Sequence, residues 1–160
     1  MGPVMVSKSR KKTDTRAARI RSARKLFRIG MPRVLGVRVI SLAPKKVVAE
    51  LRVRPMHLNR NGRVNGGVLM ALADVMGAAG AVANRPLSCR GGTIESKTNF
   101  FAAANGPVIR AVCVPLHIGR TTSVWQTTIR NKGGRIAAIV TQTQIGLPRN
   151  EKAGGVSDEG

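Results

Sequence analysis

The stretch H-L-N-R-N-G-R-V-N-G-G-V-L-M-A-L-A-D, residues 57–74, joins a polar, glycine-marked turn to an apolar segment. Asp74 is the single charged residue between positions 64 and 83. An ionised carboxylate that is buried without a partner costs several kcal/mol, so a protein keeps one in such a segment only where it has a use. The position of Asp74 therefore indicates a functional carboxylate on a predicted helix.

The two glycines at the start of that helix, Gly66 and Gly67, add a second chemical element. Unhindered backbone N–H groups at a helix N-terminus point outward at the positive end of the helix dipole. They can hold a developing oxyanion, while a carboxylate can act as a general base. The pair predicts an acyl-transfer site. The plain structural alternatives are a tight turn for the glycines and a buried polar anchor for Asp74.

The bulk composition indicates one basic domain. The chain has 160 residues, 42% of them hydrophobic but only 2% aromatic, and a formal net charge of +21. Residues 1–30 hold ten basic residues and one acidic residue, and the remainder is also strongly basic. A field of this sign favours anionic partners such as nucleotide phosphates, nucleic acid or an anionic membrane surface.

The cysteine and histidine spacing and the missing glycine motifs argue against a metal site, a serine-hydrolase site and a nucleotide-phosphate site. Cys89 and Cys113 have no metal-ligand spacing with His57 or His117, and neither a G-x-S-x-G elbow nor a phosphate-binding glycine loop is present. We expect no metal and no cofactor, and a reducing, cytoplasmic location. The Arg-rich, acid-poor N-terminus leaves a mitochondrial transit segment as a minor alternative.

Hydrophobic periodicity and turn residues predict the elements. Residues 1–30 are expected to be a basic, loose or weakly helical arm, residues 31–148 the folded domain, and residues 149–160 a flexible tail. The domain is predicted to contain strands at 34–42, 46–54, 93–101, 108–117, 121–130 and 135–145, and one helix from about 66 to 82. The fold class is therefore α+β, with an antiparallel sheet of about six strands around one long central helix. Such a sheet leaves edges that dimerisation would cover.

Four segments within residues 32–147 resemble the hotdog-fold thioesterases, in particular the group typified by the phenylacetic-acid-pathway acyl-CoA thioesterases. They are N-x-x-G-x-V-x-G-G-V-L-x-x-L-A-D from Asn59 to Asp74, T-I-E-S-K-T-N-F-F from Thr93 to Phe101, H-I-G-R-T-T-S-V from His117 to Val124, and G-G-R-I-A-A-I-V-T-Q-T from Gly133 to Thr143. Their order and spacing make the resemblance fairly specific.

The resemblance implies a homodimer, or a tetramer of two dimers, with active sites at the dimer seam. The Gly66 N–H would polarise the thioester carbonyl with help from Asn59, and Asp74 of the facing subunit would orient or activate water. Thr93 would lie near that water. Gly67, Arg120 and Thr121 would contact CoA, which enters as part of the substrate.

One position departs from the family pattern. The residue before Gly66-Gly67 is usually His in these enzymes, and here it is Asn65. Asn donates and accepts hydrogen bonds but does not titrate near neutral pH. If that position takes part in the chemistry, the alternative is an acyl-CoA-binding protein with little or no turnover. A third hypothesis, nucleic-acid binding through residues 8–28, comes from the charge alone, because the domain has almost no aromatic residues for base stacking.

Overall fold

A computed structural model describes residues 13–148. The helices are α1 (Arg16–Lys25), the short α2 (Gly30–Leu35) and the long α3 (Gly66–Asn84). The strands are β1 (Val37–Ala43), β2 (Lys46–Arg52), β3 (Cys89–Phe100), β4 (Val108–Ile118), β5 (Thr122–Arg130) and β6 (Ile136–Pro148). Turns of 3-10 helix lie at Leu26–Arg28 and Pro55–His57.

All six strands form one antiparallel sheet in the order β1-β2-β4-β5-β6-β3. Helix α3 contacts every strand of this sheet, and its small residues permit the close approach. The ring of Trp125 lies where a Cβ on Gly80 would be, and the Gln142 side chain packs against Gly77 in the same way. The predicted α+β hotdog architecture, a sheet wrapped around one long helix, is thus confirmed.

Helix α3 is long and apolar enough to cross a membrane, and it is the single such helix within residues 13–148. In this fold it is a core helix, because Leu72, Ala73, Met76 and Ala79 are fully buried. The sheet supplies the apolar surroundings that a bilayer would otherwise provide.

The N-terminal boundary of the folded part differs from the prediction. Residues 16–28, assigned to the loose or weakly helical arm outside the domain, form α1 and a 3-10 turn, and Ala23 and Phe27 join the core cluster. Thr15 begins the helix, since its side chain accepts the Ala18 N–H at 3.1 Å. The basic residues obscured this short apolar face in the sequence. The predictions for residues 1–12 and for the tail at 149–160 lie outside the described residues.

The observed starts of two strands also differ from the predicted ones. Residues 34 and 35, predicted to begin the first strand, belong to α2, which ends at Gly36 in the left-handed conformation with φ 72°. Strand β3 begins at Cys89 rather than at Thr93 and pairs with β6 along its whole length. The glycines at 91 and 92 suggested a loop, but they stand opposite Gly146 and Ile145 in the ladder.

Candidate active site

Asp74 lies at the centre of a polar network that joins α3 to β3 and β6. Its Oδ1 accepts a hydrogen bond from Thr93 Oγ1 at 2.7 Å and another from Gln142 Nε2 at 3.2 Å. Gln144 Nε2 in turn donates to Thr93 Oγ1 at 2.7 Å. Asp74 Oδ2 has no donor within residues 13–148, so one carboxylate oxygen is held and the other is free.

The apolar neighbours of Asp74 along the chain do not bury it. Ala73 and Val75 are buried, whereas Asp74 itself is exposed in the single chain. The carboxylate lies beside the edge strand β3 and the neighbouring strand β6, and the residue keeps an exposed surface there. It is therefore reachable by water and by a ligand.

A β-bulge places Thr93 beside the carboxylate. The β3–β6 register pairs Thr93 with Gln144 and Glu95 with Thr143, so one extra residue, Ile94, is inserted in β3. A bulge bends its strand and redirects the adjacent side chains. The predicted proximity of Thr93 and Asp74 is present in the structure.

The sequence reasoning missed the two glutamines of the network. Gln142 and Gln144 are 0% and 2% exposed, two residues apart on β6, on the same face as buried Ala138 and Val140. Polar side chains at inward-facing positions of a strand are costly unless they are hydrogen-bonded. The sequence already shows that the two glutamines occupy alternate positions of β6 in line with Ala138 and Val140. Gln142 Oε1 is itself buried and has no donor within residues 13–148.

The N-terminus of α3 forms the second part of the site. Asn65 is the N-cap, and its Oδ1 accepts the Gly67 N–H at 2.8 Å. The Gly66 N–H has no acceptor among residues 13–148. Phe100 lies against Gly66, since a Cβ there would be 3.0 Å from its Cζ. Of the two glycine amides, the one at 66 is thus available to a ligand, while the one at 67 is engaged by the cap.

Asn59 organises the loop that leads into α3. Its Oδ1 accepts the N–H groups of Asn61 at 2.9 Å and Arg63 at 3.2 Å, and its own N–H donates to the Arg63 carbonyl at 2.7 Å. The side-chain oxygen is therefore committed to the turn. The predicted assistance of Asn59 to the thioester carbonyl would have to come from its amide nitrogen.

His57 closes the other end of this loop. It is fully buried, its Nδ1 accepts the Arg54 N–H at 3.1 Å, and its carbonyl accepts the Asn65 N–H at 2.8 Å. Burial lowers the pKa of this imidazole, and the positive charge of Arg54 lowers it further, whereas the nearby backbone of Leu35 opposes the shift. This placement gives His57 a structural role in the loop that precedes α3.

Arg120 and Thr121 lie at a cavity of about 290 Å³ between the end of α3, the β4–β5 hairpin and β6. Gln144 also lines this cavity, so its wall reaches the Thr93–Asp74 network. Within the described part of the chain, no three His, Cys, Asp or Glu residues approach closely enough to hold a metal ion. Cys113 is buried, which raises the pKa of its thiol to about 12 and removes it from nucleophilic chemistry.

Comparison with known proteins assigns the family. The sequence model of the thioesterase superfamily matches residues 61–138 of this chain, which include both Gly66 and Asp74. The proofreading thioesterase EntH of Cronobacter turicensis is 33% identical over 102 residues, covering 63% of this chain and 74% of that protein.

Solved structures agree on the fold. A thioesterase family protein from Silicibacter pomeroyi superposes with a TM-score of 0.77 at 22% identity, covering 84% of this chain and 100% of the other. A thioesterase from Haemophilus influenzae gives a TM-score of 0.75 at 22% identity, covering 89% and 97%. With the sequence matches, these results show that the chain belongs to the thioesterase superfamily and has its hotdog fold.

Proposed function

We propose that this protein hydrolyses acyl-CoA thioesters to the free acid and CoA. The observation that carries the proposal is the state of Asp74, whose Oδ1 is held by Thr93 and Gln142 while Oδ2 is left unpaired on an exposed side chain. A fixed carboxylate with one free oxygen is suited to take a proton from water.

The reaction would proceed by direct attack of water. Asp74 accepts a proton as the water oxygen bonds to the thioester carbonyl carbon, and the carbonyl oxygen becomes an oxyanion facing the Gly66 N–H. The tetrahedral intermediate then collapses, the carbon–sulfur bond breaks, and the proton passes from Asp74 to the departing thiolate. No covalent enzyme intermediate is required.

The spacing of the two groups favours a site shared between subunits. Gly66 and Asp74 are eight residues apart on α3, which corresponds to about 12 Å at the rise of an α-helix. An oxyanion donor and a base acting on one water must each lie within roughly 3 Å of the reacting atoms. One chain therefore does not bring both groups to one carbonyl, and we propose that Asp74 acts with Gly66 of a second copy.

Strand β3 offers the surface for that second copy. It is an edge strand of 12 residues, nearly all exposed, and it carries large apolar side chains at Ile94 and Phe100, 59% and 54% exposed. Long, exposed, apolar edge strands are normally paired or covered. A homodimer that joins two β3 strands would cover this edge and bring Thr93 and Asp74 to the seam.

The placement of Asn65 bears on the alternative of a binder without turnover. Its side chain caps α3, which is a positional role that needs no titrating group. We therefore propose that Asn in place of the usual His is compatible with catalysis. The phenylacetic-acid-pathway subgroup, a tetrameric assembly and a cytoplasmic location stay predictions.

The test is thiol release from short, medium, long and aromatic acyl-CoAs by wild-type protein and by Asp74→Asn. Asn keeps the size of Asp and an acceptor for Thr93 but does not act as a base. We expect turnover by the wild type and a loss of at least ~10²-fold in the variant. Glu50→Gln is the matched control, because Glu50 pairs with Arg38 and Arg110 away from the network.

Two outcomes would count against the proposal. Full turnover by Asp74→Asn would show that the mechanism does not need the Asp74 carboxylate. Absence of turnover by the wild type, together with a rise in melting temperature on adding acyl-CoA, would support the binding protein instead.

A further inference from the structure

The short helix α2 presents apolar side chains to solvent. Ile29, which precedes it, and Met31 and Val34 within it are 62%, 61% and 57% exposed. Met31 and Val34 are three residues apart and therefore lie on one face of the helix. These three side chains are called the apolar patch below. Apolar side chains scattered singly over a surface need no explanation, but a group of them indicates a surface that another molecule covers.

The fold holds this patch at the surface. Phe27 before it and Leu35 after it are buried in the core, so the segment between them is anchored at both ends. The Val34 carbonyl also accepts a hydrogen bond from Arg54 Nη2 at 2.6 Å. These contacts fix the segment in an orientation in which the patch does not reach the core, so it can be covered only from outside.

Positive charge surrounds the patch. Residues 15–49 contain ten basic residues and no acidic residue. Arg28 and Arg33 flank the apolar side chains and are exposed, and neither pairs with a carboxylate within residues 13–148. Apolar side chains among unpaired cations are the combination that binds an anionic bilayer, because the apolar groups enter the boundary between headgroups and acyl chains while the cations stay with the phosphates.

Two other occupants fit this surface less well. A second copy of this chain would place the same cations opposite one another, because a two-fold interface repeats one surface, and opposed like charges cost free energy. The proposed dimer seam at β3 is also the opposite edge of the sheet from β1, the strand that follows α2. Nucleic acid would be attracted by the cations, but Ile, Met and Val offer no aromatic face for stacking on bases.

We propose that the apolar patch and its flanking arginines attach this protein peripherally to an anionic lipid surface. The apolar side chains enter the interface, and Arg28 and Arg33 contact lipid phosphates. The attachment is reversible, because a small apolar group binds a bilayer only weakly without the help of the cations. The inference goes beyond the proposed hydrolysis and does not depend on it.

Flotation of the full chain with lipid vesicles tests the proposal. One set of vesicles contains equal parts of phosphatidylcholine and phosphatidylglycerol, and the other contains phosphatidylcholine alone. We expect binding to be at least ~10-fold stronger on the anionic vesicles and to weaken as salt is added, since salt screens the attraction between the cations and the lipid phosphates. Absence of binding to the anionic vesicles at low salt would overturn the proposal.

A pair of apolar substitutions tests insertion of the patch. Met31→Ser combined with Val34→Ser should weaken binding to the anionic vesicles by about tenfold or more, because it removes the apolar groups that leave water. Leu116→Ser combined with Leu147→Ser is the matched control, since these side chains are 57% and 49% exposed on β4 and β6. Equal weakening by both pairs, or by neither, would overturn the proposal.

A pair of charge substitutions tests the flanking arginines. Arg28→Gln combined with Arg33→Gln should weaken binding about tenfold or more, since each cation near an anionic surface contributes to attachment. Lys132→Gln combined with Arg135→Gln lowers the net charge equally at the exposed β5–β6 turn and should weaken binding much less. Equal weakening by the two pairs would mean that binding follows net charge alone and would overturn the proposal.

The comparison of the apolar and the charged pair separates a membrane from nucleic acid. Loss of vesicle binding in both the Met31 and Val34 pair and the Arg28 and Arg33 pair supports a lipid surface. Loss in the arginine pair alone would assign the surface to polyanions in general, nucleic acid included, and would overturn the proposal. All four substituted side chains are exposed, so each variant should melt near the wild-type temperature.

Discussion

The Thr93 hydroxyl lies 2.7 Å from Asp74 Oδ1 and 2.7 Å from Gln144 Nε2. Because Gln144 donates to this hydroxyl, the hydroxyl proton is directed to the carboxylate. Thr93 on β3 thus links the carboxylate on α3 to Gln144 on β6 by two hydrogen bonds. Catalytic carboxylates depend on such support, since small displacements from the productive geometry reduce rates strongly.

Thr93→Val should reduce kcat for acyl-CoA hydrolysis by about tenfold or more. Valine keeps the shape of threonine but removes one of the two donors to Asp74 Oδ1, and a hydrogen bond to a charged group contributes about 1.5–3 kcal/mol. Thr98→Val is the matched control on the same strand, because the Thr98 hydroxyl is buried without a partner within residues 13–148. Equal kcat for Thr93→Val and wild type would show that Thr93 does not position Asp74.

Much of this architecture could be predicted from the sequence. The alternating strands, the turn chemistry and the 66–82 helix come from local periodicity, and the observed elements differ from them mainly at their ends. The Gly66 turn and Asp74 were found because they interrupt an otherwise simple pattern. Local signals of this kind are visible without knowledge of the fold.

The features that were not predicted depend on pairing between distant segments. Arg85 follows the core helix as an ordinary surface cation would, and its hydrogen bond to the Ile145 carbonyl arises only because β6 lies beside the end of α3. Similarly, the β-bulge at Ile94 orients the Thr93 side chain towards Asp74. Such a register shift depends on how β3 and β6 pair, so it is not visible in either segment alone. Weak helicity was allowed for residues 1–30, but the packing of α1 was not predicted, because Ala23 and Phe27 become core residues only when α3 is beside them.

Asn65→Ala should lower the free energy of unfolding by about 0.5–2 kcal/mol, since it removes the side-chain acceptor of the Gly67 N–H. Asn65→Asp keeps an acceptor at the helix N-terminus and should unfold at nearly the wild-type urea concentration. Chemical denaturation of the three proteins checks this. Equal stability of Asn65→Ala and wild type would show that the cap contributes nothing.

Stability should fall as the pH drops below about 6.5, the usual pKa of histidine. Burial holds the pKa of His57 below that value, so the unfolded chain binds a proton that the folded chain does not. This contribution is fully present above pH 6.5 and is lost as the pH falls towards the lowered pKa of the folded state.

Urea unfolding between pH 7.5 and pH 5 measures this effect. His57→Asn keeps an acceptor for the Arg54 N–H without a titrating group, and its stability should change less across the range. The same slope in wild type and His57→Asn would contradict the assignment.

Gly66→Pro should reduce turnover strongly while leaving the helix intact. Proline has no N–H, so it removes the proposed oxyanion donor, and it is favoured at the first position of a helix. The preceding Asn65 already has φ −60° and ψ 137°, which is the conformation that proline requires before it. A loss of about 10²–10³ in kcat is expected for one oxyanion donor.

Gly66→Ala is the matched control for that change. It adds the same Cβ near Phe100 but retains the N–H. Retained turnover in Gly66→Ala beside its loss in Gly66→Pro would isolate the amide. Equal loss in both variants would instead assign the effect to crowding at Phe100.

Two inactive variants should restore activity when they share a dimer. If Gly66 of one subunit acts with Asp74 of the other, a mixed dimer of Gly66→Pro and Asp74→Asn has one site with both groups intact and one with neither. Unfolding and refolding an equal mixture would produce mixed dimers as about half of the population, with one working site in each. The refolded mixture should then show about a quarter of the wild-type rate per subunit, whereas each variant refolded alone stays inactive. If both groups came from the same chain, every site in the mixture would lack one of them, and the mixture would remain inactive.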